Sequence, residues 1–226
     1  MKITYLGHAG LHIEINGKFI VVDPFISGNP LASVVDLQSL NADYLLLTHA
    51  HGDHIADVEP IAERTAATII CNAEMSYYYD AKGFKTIGMN TGGRFNFDGI
   101  SVKSTIAFHS SSFPDGTYGG NPNGYVLEDG SKRIYIAGDT ALTTEMKLIP
   151  ETIGKPDLAI LPVGDHFTMG YQDAYIASNF IQCNRVMGYH FDTFPPIKIN
   201  HQQAKDHFSA GGKVLILPAI GETLEV

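Results

Sequence analysis

The segment Thr48-His49-Ala50-His51-Gly52-Asp53-His54 places four potential metal ligands within six residues, directly after the apolar run Tyr44–Leu47. Such a run reads as a buried strand. At strand-like spacing, His49 and His51 project to the same side. Gly52 then allows a sharp turn. Asp53 and His54 arrive at the start of a helix and can point back to the same place. Imidazole and carboxylate suit zinc, iron or manganese. Without a cation, the cluster would crowd unmet polar groups beside a buried strand. A fold built on this chain therefore has to end a strand at a metal site.

The rest of the chain has room for such a fold. Its 226 residues fit one α/β domain spanning residues 1–226. Hydrophobic residues make up 44% and charged residues 17%, the balance of a globular protein with a substantial core. Fifteen Lys and Arg face twenty-four Asp and Glu, a net charge of -9, which argues against a broad nucleic-acid surface. Cys71 and Cys183 read as small buried hydrophobes rather than a pair. Met1 to His8 lacks the apolar stretch of a signal peptide. No window approaches the roughly 20 apolar residues of a membrane span. The expectation is a cytoplasmic protein acting on a small molecule, with oligomerisation left open.

Strands are expected at Lys2–Leu6, Leu11–Ile15, Lys18–Val22, Thr68–Ile70, Arg94–Phe97 and Ile100–Phe108. Asn16-Gly17 and Asp98-Gly99 mark hairpins. Later strands are expected at Gly124–Glu128, Arg133–Ala137, Leu158–Leu161, Val186–Gly188 and Val214–Leu217. Helical character covers His54 to Arg64, Ala73–Lys82, Thr144–Glu151, Tyr171–Phe180 and His201–Ser209. The Gly- and Pro-rich loop Ser110–Asn123 is long enough to suggest function. A boundary near residue 115 would divide the chain into two halves of one domain. Two face-to-face sheets with helices outside would bury all these runs.

The His-x-His-x-Asp-His pattern resembles the hallmark of the metallo-β-lactamase superfamily. The later members of that pattern occur in order: His109 in Ile106-Ala107-Phe108-His109, Asp139 in Ile136-Ala137-Gly138-Asp139, and His190 in Met187-Gly188-Tyr189-His190. The resemblance implies an α/β fold, a four-layer αββα sandwich with the metals at one edge. It implies two divalent metal ions, zinc foremost, with manganese or iron open. His49, His51 and His109 would hold one, Asp53, His54 and His190 the other, and Asp139 would bridge them. It also implies that Asp23, in Val22-Asp23-Pro24, lies behind the ligands and fixes a histidine tautomer; otherwise Asp23 is a turn residue before Pro24.

A finer resemblance is to compact metal-dependent hydrolases related to ascorbate-6-phosphate lactonases. It rests on Leu6-Gly7-His8-Ala9, Gly120-Asn121-Pro122-Asn123-Gly124-Tyr125, Phe167-Thr168-Met169-Gly170 and His190-Phe191-Asp192-Thr193-Phe194-Pro195. Asp53 is expected to orient the nucleophile or take its proton. His8 and His166 are candidates to donate a proton or hold a substrate oxygen. His12, His201 and His207 read as structural or solvated, and Tyr77-Tyr78-Tyr79 as packing. The implied reaction is attack by a hydroxide shared between two metals on an ester, lactone, thioester or phosphodiester centre. The alternatives are a mononuclear iron dioxygenase-like enzyme of the same fold and a metal-dependent nuclease, the latter disfavoured by the acidic charge.

Overall fold

The computed structural model describes residues 1–226. The first sheet comprises β1 (Lys2–Gly7), β2 (Gly10–Ile15), β3 (Lys18–Val22), β4 (Tyr44–Leu46), β5 (Thr68–Asn72) and β6 (Thr86–Met89). The second comprises β7 (Arg94–Phe97), β8 (Ile100–Ile106), β9 (Asn123–Glu128), β10 (Arg133–Ile136), β11 (Leu158–Pro162), β12 (Arg185–Tyr189) and β13 (Val214–Ile216). β14 (Thr223–Glu225) returns to pair antiparallel with β1 in the first sheet. Both sheets follow one plan. Antiparallel strands lead into three parallel steps, β3-β4-β5-β6 in one and β10-β11-β12-β13 in the other.

Alternation along β3, β4 and β5 shows which face meets which layer. Ile20, Val22, Leu46 and Ile70 join the large core that includes Tyr125, Leu127 and Ile136 of the second sheet. Val21, Leu45, Ile69 and Cys71 face the other way. They pack on α2 (Val58–Thr65) and α3 (Ala73–Asp80) through Val58, Ile61, Met75 and Tyr79. This is the period of two expected of strands buried on both faces. α5 (Tyr171–Phe180) and α6 (His201–Ala210) cover the second sheet, completing the αββα layers. No helix is long and apolar enough to cross a membrane.

The exchange between sheets falls between Met89 and Arg94, not near residue 115. β8 pairs antiparallel with β9 across the long loop, so that loop connects neighbours within one sheet. The helix expected from His54 to Arg64 is two, α1 (Gly52–Ile55) and α2. The break is at Asp57, whose amide is held by Pro24 O and whose carboxylate accepts from the amides of Ile26 and Ser27. β6 and β14 are strands that the apolar patterning did not mark. Cys71 and Cys183 are both buried and unpaired.

Candidate metal centre

The parallel steps send successive strand ends to one edge of the sandwich, where loops can converge on a shared site. His8 follows β1, Asp23 follows β3, and His49 and His51 follow β4. From the second sheet, His109 follows β8, Asp139 follows β10 and His190 follows β12. β8 leaves its ladder after Ile106 because the Phe108 amide donates to Thr140 Oγ1 at 2.9 Å. That contact turns His109 towards Asp139. Gly138, at φ 68°, lets Asp139 in: a Cβ there would lie 2.6 Å from Asn123 O.

Ligand-forming atoms gather in two groups at the cavity, and a third, fully buried set of Asp23, His49 and His54 lies behind them. His49, His51 and His109 form one, and Asp53, His54 and His190, joined by His8, form the other. Asp139 Oδ2 reaches both. It lies 3.0 Å from His190 Nε2, 3.4 Å from His54 Nε2 and 3.6 Å from His109 Nε2.

Behind the first sheet's ligands the hydrogen bonds assign the tautomers. Asp23 is fully buried and accepts from the Thr48 amide at 2.8 Å and the Thr48 hydroxyl at 2.6 Å. His54 Nδ1 donates to Asp23 Oδ2 at 2.9 Å, which aims its Nε2 into the site. With the Thr48 hydroxyl spent on Asp23, His49 Nδ1 is the donor in its 3.0 Å contact with Thr48 Oγ1. His49 Nε2 then presents a lone pair, 3.0 Å from His51 Nδ1. The second sheet offers no such bracing: His190 Nδ1 has no partner.

These residues fit a bound cation. Buried His54 Nε2 and His190 Nε2 face only the Asp139 carboxylate, without an aligned hydrogen bond, and Asp139 Oδ1 has no partner at all. Native structures rarely leave such atoms unsatisfied, because their desolvation is not repaid. Burial holds the His49, His51 and His109 imidazoles below their ordinary range, with the charge of His54 adding to it, so each is neutral and able to coordinate. Burial also opposes charge on His54, but Asp139 and then Asp23 outweigh it and raise that imidazolium well above its ordinary value. Burial disfavours the Asp139 carboxylate, and His190 and His54 overcome it to hold that group far down.

His8 is buried and does not line the cavity at the site. Its Nε2 contacts Asp53 Oδ2 and its Nδ1 contacts Thr193 Oγ1, both at 3.0 Å. Burial, helped by His190, lowers its imidazolium to about 4. The ring is thus neutral, Nε2–H donates to the carboxylate, and Nδ1 accepts from Thr193. Burial works to raise the Asp53 carboxyl, yet the His8 hydrogen bond and His54 bring it well below the usual range. The His8 carbonyl accepts the His190 amide at 2.7 Å. His8, Asp23 and His190 all have positive φ, at 54°, 40° and 54°. Strain of this kind collects where function over-determines the backbone.

The cavity over the two groups holds about 440 Å³. Asp53, with 32% of its side chain exposed, opens into it. His166 does not line it; the exposed ring packs edge-on against Phe167, which does. Only the ends of the loop Ser110–Asn123 reach this region, Ser110 at the cavity and Asn121 and Pro122 beyond His109. Its middle is structural: Phe113 is buried and stacks on Tyr78 at 3.8 Å, and Asn72 ties Gly119 O and Asn121 O to the end of β5. The sequence points to the segment His166–Gly170, with the loop Ser110–Asn123, as the substrate pocket, and of that segment Phe167 lines the cavity; it does not mark Thr48, Thr193 or Phe194 as site residues. Thr48 and Thr193 adjoin or closely follow ligands, which is the signal that was there to find.

Comparison with known proteins gives this geometry a family. A family model described as the beta-lactamase superfamily domain matches residues 18–191. A UPF0173 metal-dependent hydrolase of Flavobacterium johnsoniae is 59% identical, covering 100% of both chains. A metallo hydrolase of the hyperthermophilic archaeon Ignicoccus hospitalis superposes with a TM-score of 0.90 at 35% identity, covering 99% of this chain and 97% of that one. An isothiocyanate hydrolase from Delia radicum gut bacteria shares the fold, with a TM-score of 0.80 at 22% identity over 100% of this chain and 99% of its own.

Proposed function

The chain belongs to the metallo-β-lactamase superfamily, among its metal-dependent hydrolases, and from that premise we propose that it hydrolyses a small-molecule substrate at a pair of divalent cations. His49, His51 and His109 would hold one cation. Asp53, His54 and His190 would hold the other, with Asp139 shared. The observation that carries this reading is Asp139 Oδ2, one carboxylate oxygen within 3.6 Å of histidine nitrogens from both groups. Histidine-rich ligation suits zinc, and manganese and iron are compatible with the same donors.

When bound, the cations supply a water acidified towards neutral pH and a Lewis acid for the substrate oxygen. The protein's own groups do the rest. Asp53 orients the water, accepts its proton and returns it to the leaving group. His8 does not deliver a proton: both ring nitrogens are engaged, and it holds the Asp53 carboxylate in place, itself fixed by Thr193. Thr48 keeps His49 in the tautomer that can coordinate, and Asp23 holds the Nδ1 proton of His54, so that His54 would coordinate through Nε2 once the proton there is displaced.

Protein purified without chelator should carry up to two transition-metal ions per chain by elemental analysis. Stripping them should abolish hydrolysis, and zinc or manganese should restore it. Failure to bind metal even after reconstitution overturns the proposal.

A further inference from the structure

Four of the residues that line the cavity are not candidate ligands: Ser110, Phe167, Phe194 and Pro196. Three of these are apolar rings, and no Lys or Arg is among the lining residues. Phe167 leaves 51% of its surface exposed at the tip of a tight loop. Two consecutive non-glycine residues at positive φ, Asp165 at 62° and His166 at 58°, hold it there. The chain thus spends backbone strain on showing a phenylalanine to solvent beside the metal ligands. Phe194 is anchored from behind, 5.3 Å from the His8 ring. The neighbouring cavity beyond His109 repeats this chemistry with Ile106, Phe108 and Pro122, again without a cation. Lys198 is close in sequence to Pro196 but serves a different cavity, together with Asp165.

Resting on the hydrolase reading above, we infer that the substrate is a carboxylic ester or thioester whose apolar group lies against Phe167 and Phe194, with no phosphate or other anion away from the scissile carbonyl. Specific recognition of a peripheral phosphate uses Arg, Lys or a helix N-terminus, and this wall offers no basic side chain. The net charge of -9 adds a general bias against anions. A phosphorylated lactone, which the finer sequence resemblance suggests, is therefore a poor match to the wall. In the step itself, the water oxygen bonds to the carbonyl carbon and the bond to the leaving oxygen or sulfur breaks. The water proton passes through Asp53 to the departing group, giving an acid and an alcohol or thiol.

The test uses zinc-loaded protein. Turnover is measured on p-nitrophenyl acetate, butyrate and octanoate, on an octanoate analogue ending in a carboxylate, and on bis(p-nitrophenyl) phosphate. Calorimetry then compares the binding of octanoate and acetate. The expected result is a kcat/KM at least about tenfold higher for octanoate than acetate, as apolar pockets discriminate by methylenes. The terminal carboxylate should remove that gain. Phe167→Ala should shrink the octanoate-to-acetate ratio, in both kcat/KM and binding, by about fivefold or more, with metal content unchanged. Equal handling of the two chain lengths, an unchanged ratio in Phe167→Ala, or preference for the phosphodiester overturns the inference while leaving a metal-dependent hydrolase in place. No turnover of any substrate, with octanoate still bound in a Phe167-dependent way, overturns the hydrolase reading and keeps the apolar site.

Discussion

The two sheets supply the metal centre in different ways. The first sheet's histidines arrive already oriented, with Asp23 and Thr48 fixing His54 and His49 from behind. The second sheet's candidate ligands brace only one another: His190 Nε2 faces Asp139 Oδ2 at 3.0 Å, while His190 Nδ1 and Asp139 Oδ1 have no partner. One half is oriented from behind by its own hydrogen bonds. The other would be completed by a bound cation. Metal affinity should then depend on the two halves unequally, and substitutions in each can break that contrast.

The largest effect is expected at Asp139, whose Oδ2 lies near histidine nitrogens of both clusters. Asp139→Asn keeps the shape but removes the charge that would offset the two dications proposed here. It should release one metal or loosen it severely and cut hydrolysis by more than about a hundredfold, beyond the usual loss for residues behind the ligands. Metal content, melting temperature and activity measured on the same protein check this. Modest destabilisation with metal and rate intact would reduce Asp139 to a helix cap.

Asp23→Ala should weaken metal affinity by roughly 10–100-fold. The loss should fall harder on the site containing His54 than on the one containing His109, and competition titration against a chelator reads both. An equal loss at both sites would mean that Asp23 acts on His49 through Thr48 as strongly as it acts on His54 directly. The smallest effect is expected at Thr193→Val, which removes the donor to His8. It should lower kcat by roughly two- to tenfold, the worth of one hydrogen bond, with metal content preserved and Thr193→Ser restoring the rate. A loss of metal instead would show that His8 supports Asp53 as a ligand rather than as a base.

The same contrast separates what could be read in the sequence from what could not. His49, His51, Asp53 and His54 declare themselves because their ligating groups are adjacent in the chain and follow an apolar strand. His109, Asp139 and His190 were recoverable because each ends an apolar run. The pair of sheets followed from apolar strand runs flanked by helical segments, although β6 and β14, each carrying two or fewer large apolar side chains, went unmarked. Bracing was harder to see. His8 meets Thr193 across 185 positions, a pairing that only the tertiary fold creates. The loop at Asp165-His166-Phe167 shows a different limit. Histidine chemistry drew attention to His166, but positive φ at two successive residues turns the neighbouring Phe167 to the cavity. No periodicity argument reaches such a backbone.

The central claim is that Asp139 couples two cations into one hydrolytic centre. X-ray absorption on the metal-loaded protein measures it most directly. Two ions per chain are expected, with a metal–metal vector of roughly 3.5–4 Å that disappears in Asp139→Asn. A single ion at saturation, or two ions with no metal–metal vector in the unsubstituted protein, would contradict it.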